Sequence, residues 1–304
     1  MYCDAVRPPT ELSIFTATIS SIITLLSVIG NGIIIFVVIR DPLQNLRTPF
    51  NFFLVNLAFS DLIIGLITSP LSVYGHARES VGKLNEDIKI MFQLPYFVSI
   101  TASILNLGVL CADRFTAIIY PIKHRIHFSL KKCVFIAVGI WLFSVTVPFI
   151  YFKVGFVEYL LIYANTCVLL AFIFMCLTYV KVYKFLRQKT TELRLLMTTE
   201  ESSDEKFRLK RLLMEKKVTR AFLVILVLFI CTYLPASIMI YIIYFCQHCD
   251  CTFIHILRDL EIVFILSNSC MNPFVCTIRL VNFKKSIKAL FSSEVNETPC
   301  SNKT

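Results

Sequence analysis

Seven separate apolar stretches, at residues 14–39, 50–74, 89–119, 133–152, 159–183, 218–245 and 253–278, dominate this chain. Each is long enough to span a bilayer core, which takes roughly 20 helical residues. Lipid offers backbone amides no partner, so a spanning segment must be a helix or part of a closed barrel. None of the stretches alternates apolar and polar residues as a barrel strand would. The expected fold is therefore an all-α membrane protein, a seven-transmembrane helix bundle. Composition agrees, with 57% hydrophobic and 16% charged residues and a mean hydropathy of +0.73 over 304 residues, far from a soluble domain. Residues 282–291 put Phe283, Ile287, Leu290 and Phe291 on one face and lysines on another, which predicts a short amphipathic eighth helix lying on the membrane surface. Residues 1–291 are thus expected to form one domain and residues 292–304 a cytoplasmic tail.

Basic residues set the orientation. If the Asp113-Arg114 end of the third stretch faces the cytoplasm, 24 of the 30 lysines and arginines lie on the inner side. Cytoplasmic segments carry such an excess, so the N-terminus is expected outside. No signal peptide is expected, because the first apolar stretch is too long for one and has no basic segment before it. The net charge of +10 then belongs mostly to the inner face. Anionic membrane lipids are the expected partners of that charge, and nucleic acid is not.

A few polar groups interrupt the apolar helices. Asp113 and Arg114 close a run, residues 90–111, with no ionised side chain. An acid and a base at the end of a membrane-length helix suggest a switch at the bilayer face; ordinary interfacial charges are the competing reading. Asp61 is the only charge inside the second stretch, and Asn31, Ser103, Asn268, Ser269 and Asn272 are its expected neighbours. Those oxygens suit a hydrated sodium ion, or else form a polar network that joins helices. Pro235 and Pro273 each remove a backbone hydrogen bond and are expected to kink the sixth and seventh helices.

Taken in order, Gly30-Asn31, Leu57-Ala58-Phe59-Ser60-Asp61, Asp113-Arg114-Phe115, Trp141, Thr232-Tyr233-Leu234-Pro235 and Asn272-Pro273 resemble the rhodopsin-like (class A) G-protein-coupled receptors, with a marker in almost every helix. The resemblance implies an activation switch in which Arg114 pairs with Asp113 and with Glu215 at the foot of the sixth helix. It adds Phe229, Tyr233, Pro235, Asn272, Pro273 and Cys276 to that switch, and an allosteric sodium ion near Asp61 as the one bound cofactor. It also implies a heterotrimeric G protein, and arrestin, at the inner face of a multi-pass plasma-membrane receptor that performs no covalent chemistry.

Several positions depart from the family pattern. Tyr233 stands where tryptophan is usual and Cys276 where tyrosine is usual, so a thiol replaces a longer hydroxyl donor. Ala171 occupies a proline position. Lys89 replaces the cysteine that ties the third helix to the second outer loop, and that loop, residues 153–158, has no cysteine. Melanocortin receptors share the missing disulfide, the short loop, the missing proline and a cysteine cluster outside the last helix. This points to the branch of melanocortin, cannabinoid, lysolipid and adenosine receptors. Cys3, Cys246, Cys249 and Cys251 lie on the oxidising side and allow three pairings; the resemblance favours Cys246–Cys249 and Cys3–Cys251. A zinc site using Cys246, Cys249 and His248 is the competing reading, in a loop short for encircling a metal. Cys300 is a candidate for lipidation, while Asn296 and Asn302 begin glycosylation patterns on the cytoplasmic side and are expected to be silent.

The ligand is less legible. The position that holds a carboxylate in amine receptors is Tyr96, and the seventh helix has no lysine for a retinal Schiff base. Leu71, Lys89 and Gln93 replace the acids that receive basic melanocortin peptides. The expected pocket draws on Gln93, Tyr96, Phe97, Glu158, Tyr163, Ser237, Tyr241, Arg258 and Glu261, a mixture that suits a peptide or a lipid-like extracellular ligand. The reading is a receptor that activates a G protein by helix rearrangement. A constitutively active or degenerate receptor is an alternative, motivated by Tyr233 and Cys276, and an ion-coupled transporter using Asp61 is another.

Overall fold

The computed structural model describes residues 3, 6–44, 46–83, 86–127, 129–196, 203–246, 248–279 and 281–294. Among them every regular element is helical: α1 (Thr10–Arg40), α2 (Pro49–Ile63), α3 (Ser69–Ser80), α4 (Glu86–Ile119), α5 (Pro121–His127), α6 (Leu130–Thr146), α7 (Tyr151–Val154), α8 (Phe156–Tyr163), α9 (Leu169–Leu196), α10 (Ser203–Phe245), α11 (Cys251–Arg279) and α12 (Val281–Glu294). A π-helical turn, Ile64–Thr68, joins α2 to α3 just ahead of Pro70, and a second, Ala164–Val168, joins α8 to α9. Six membrane-length apolar spans result, ending with Leu223–Phe245. The seventh expected span is α11, also long at 29 residues, which differs by carrying Arg258, Asp259 and Glu261 near its outer end and Asn268 and Asn272 further in. Those polar side chains are buried except for a part of Arg258, so α11 faces its neighbours more than lipid.

Local chemistry explains the helix limits. Thr48 starts α2 by accepting a hydrogen bond from the Asn51 amide, with Pro49 at the first helical position, where its missing N–H costs nothing. Between α7 and α8 the chain turns through Gly155 alone, at φ +94°, a conformation that glycine adopts at little cost. Helix α10 and helix α11 continue through Pro235 and Pro273. Helices α9 and α10 extend well past the apolar stretches, so the described parts of the third inner loop are helical; Glu200, Glu201 and Ser202 lie outside the described residues, as do Asn296, Cys300 and Asn302.

Helix α1 packs on α3 and α11, α2 on α4, and α10 on both α9 and α11. A chain of amides ties the centre: Trp141 donates to Asn56 at 2.9 Å, and Asn56 donates to Asn106 at 2.7 Å. Gly30 lets α1 approach α11 closely, since a Cβ there would lie 2.8 Å from two carbons of the Pro273 ring. That ring is rigid and cannot rotate aside. Gly30→Ala is therefore expected to lower stability by about 1–3 kcal/mol, as overpacking does; thermal unfolding of the detergent-solubilised chain would check it, and an unchanged transition would refute the close contact.

Candidate functional site

Near the C-terminal end of α4, Asp113 is fully buried and accepts from Arg114 Nε at 2.9 Å and Nη2 at 2.5 Å. Its second oxygen lies 2.8 Å from His124 Nε2. The Arg114 guanidinium also stacks on Phe50, 4.4 Å from the ring centroid, a favourable cation–π placement. The cation is thus held by a carboxylate beside it and by an aromatic face on α2. His124 is missing from the sequence reading; it sits on α5, a short helix in what reads as a loop. Glu215 lies within α10, but its side chain is outside the described residues.

In the bundle's centre, Asp61 is fully buried and takes Ser103 Oγ at 3.3 Å on Oδ1 and Asn272 Nδ2 at 2.9 Å on Oδ2. Asn31 donates to the backbone oxygens of Ser27 at 2.9 Å and Ser269 at 3.0 Å. Its own Oδ1 is buried without a partner among the described residues. The Ser269 hydroxyl turns back to Leu266 O, and Asn268 is buried nearby in sequence on the same helix. A carboxylate whose partners among the described residues are neutral donors, with an amide oxygen on the neighbouring helix α1 that has no partner among them, fits a small cation coordinated by oxygen. Cys276 is fully buried, and the Phe229 ring lies tilted against Tyr233 in α10, 4.5 Å between centroids.

Toward the outer half, Tyr96, Phe97, Ile100, Tyr163, Tyr233 and Ser237 line a narrow cavity of about 10 Å³. Phe97 lies 4.6 Å from Tyr159 and 5.8 Å from Tyr151 between ring centroids. The hydroxyls of Tyr151 and Tyr159 are buried without partners among the described residues, a costly condition that a ligand or water would relieve. A roomier crevice of about 150 Å³ opens beside it between α9 and α10, lined by Leu169, Phe172, Phe229, Leu234, Ile238 and Tyr241. Tyr233, Ser237 and Val168 border both spaces. Leu169, Leu234 and Ile238 are about half exposed, so the crevice opens on the lipid-facing side of the bundle.

Four of the expected pocket residues stand apart from these two spaces. Glu261 accepts from Tyr96 O–H at 2.7 Å and closes off behind it. Glu158 is exposed and lies over the Gly155 turn. Gln93 is half-buried and lines neither space. Arg258 pairs with Glu79 and Asp259, each at 3.0 Å, so its charge is consumed within the protein. His76, Glu79 and Asp259 are functional-looking groups that the sequence reading missed, because they become neighbours only when α3 and α11 pack. Outside the helices, Cys3 is joined to Cys251 and Cys246 to Cys249.

Comparison with known proteins follows the same lines. The seven-transmembrane receptor (rhodopsin family) profile matches residues 30–158 and 149–275. Melanocortin receptor 5 of Bos taurus is 23% identical over 286 residues, covering 91% of this chain and 84% of that receptor. Neuromedin-U receptor 2 of Mus musculus is 30% identical over 136 residues, covering 44% of this chain and 34% of the relative. Dopamine receptor 2 of Drosophila melanogaster is 30% identical over 123 residues, 40% of this chain and 22% of that protein. The last two matches span well under two thirds of the relatives' lengths.

Proposed function

Since the chain belongs to the rhodopsin family of seven-transmembrane receptors, we propose that it is a plasma-membrane receptor for an amphiphilic, membrane-borne ligand, with its N-terminus outside and a heterotrimeric G protein as its inner partner. The α9–α10 crevice carries this reading. An apolar channel open to the acyl layer admits a hydrocarbon chain without taking it through water, and its inner wall, Tyr233 and Ser237, is shared with the tyrosine-lined cavity. The unpartnered hydroxyls of Tyr151 and Tyr159 supply donors for a polar head near that cavity. A basic or acidic peptide is less well served, because Arg258 is paired to acids.

Ligand entry between α9 and α10 would separate those helices and bias α10, whose long inner end reaches back to Ser203. A ligand shifts such an equilibrium only by its differential affinity for the two states. The displacement frees Arg114 from Asp113 and opens the inner face to the G protein, with arrestin competing there. Asp61, Ser103 and Asn272 hold an allosteric sodium ion through oxygen contacts. The test is a panel of lysophospholipids, fatty-acid amides and peptides applied to transfected cells, read as nucleotide exchange on G proteins. An active lipid is expected to lose at least about tenfold in potency on Ser237→Phe, which fills both spaces at a cost of about 1.4 kcal/mol per decade, while surface expression persists. Activation by peptides alone, insensitive to that substitution, would sink the lipid assignment.

A further inference from the structure

Away from the cavity and the crevice, a polar cluster joins α1, α3 and α11. There His76 Nδ1 lies 3.1 Å from Glu79 Oε2 and 3.7 Å from Asp259 Oδ2. All three side chains are buried, and their candidate ligand atoms fall within 4.8 Å of one another. We infer that this cluster is a binding site for a first-row divalent cation of the zinc type, held by one imidazole nitrogen and two carboxylate oxygens.

Spacing supports the inference. A tetrahedral ion with nitrogen and oxygen ligands at about 2.0–2.2 Å sets neighbouring ligand atoms about 3.3–3.6 Å apart, and the two separations from His76 bracket that interval. The surrounding groups already hold the ligands. Arg258 Nη2 donates to Glu79 Oε1 at 3.0 Å and to Asp259 Oδ1 at 3.0 Å, the oxygens turned away from His76, with a longer 3.3 Å contact to Glu79 Oε2. Arg258 Nε adds a bond to Asp259 Oδ1 at 3.1 Å. Thr16 Oγ1 donates to Asp259 Oδ2 at 2.9 Å and Ser13 Oγ to Glu79 Oε2 at 3.3 Å. Such outer partners orient metal ligands and are worth roughly 10–100-fold in affinity.

Charge and ligand type agree. Two carboxylates face one guanidinium, so a neutral imidazole leaves one negative charge in a buried place, which a divalent cation offsets. A mixed imidazole and carboxylate set suits zinc, copper or nickel better than magnesium or calcium, which favour oxygen alone. His255, three residues before Arg258 on α11, is engaged with the Val6 carbonyl at 2.9 Å and stays outside the set. The partial exposure of Arg258, 26%, places the cluster close to the surface at this end of the bundle.

The test uses the full chain purified in detergent, stripped with a chelator and titrated with cobalt(II) and then zinc. Cobalt is expected to give visible absorption bands that saturate at about one equivalent and that zinc abolishes, with zinc raising the melting temperature. His76→Ala and His76→Gln should remove the bands, Thr16→Val should weaken binding about 10–100-fold, and His248→Ala should change nothing. Melting curves in chelator establish that each variant folds. Bands that survive both His76 variants, bands lost in His248→Ala, or a wild-type chain with no saturable uptake would each overturn the assignment, the last whatever the variants do.

Discussion

Arg114→Ala is expected to reduce ligand-driven nucleotide exchange by about 30-fold or more, with the receptor still reaching the cell surface. In the structure the guanidinium is held by two hydrogen bonds that it donates to Asp113 and by the face of Phe50. A transducer must supply replacements for those contacts, and truncating one side of a desolvated charged contact costs about 2–5 kcal/mol. Releasing the cation without deleting it should act oppositely. Asp113→Asn keeps the shape but removes the charge, and charged hydrogen bonds contribute about 1.5–3 kcal/mol, so basal exchange is expected to rise about 10- to 100-fold. His124→Ala should raise it less, because it removes one partner of Asp113 and leaves the pairing with Arg114 in place. The pair of opposite outcomes distinguishes a switch from a merely structural ion pair. Coupling that is untouched in Arg114→Ala would end the switch reading.

The second large effect concerns stability. Arg258→Ala leaves Glu79 and Asp259 buried near one another with their guanidinium gone. Removing one partner of a buried ion pair costs about 3–5 kcal/mol; partial exposure of Arg258, 26%, argues for the lower end. Thermal unfolding in detergent at neutral pH, with a chelator present, should show a large drop in the transition temperature. Arg258→Lys is expected to recover only part of it, since an ammonium cannot make the forked contacts to two carboxylates. A transition within error of the parent chain would mean that water, not arginine, neutralises the acids.

The helices were legible because membrane length and apolarity are properties of contiguous sequence, and α11 was legible despite its charges because its apolar residues still outnumber them. Gly30 and Pro273 stand in the sequence as isolated small and rigid residues; their contact becomes visible only when α1 meets α11. The same limit explains Arg258. As a lone cation high in the last helix it suggests a ligand contact, yet its partners are one residue away and 179 residues away. Histidine 124 was obscured for a different reason: seven residues of polar, basic chain, Pro121–His127, have neither the length nor the apolar face that marks a helix. The narrow cavity was legible in its residue types, and the wider crevice was not, because lipid-exposed Leu169, Leu234 and Ile238 resemble any other outward-facing aliphatic residue.

The covalent link between Cys3 and Cys251 has a mechanical consequence. It ties the segment ahead of α1 to the first residue of α11, 248 positions later, so those two rods are tethered at that end. Any rocking of the bundle must then pivot about the clamp and express itself on the opposite side, as a compass opens at its points while its head stays closed.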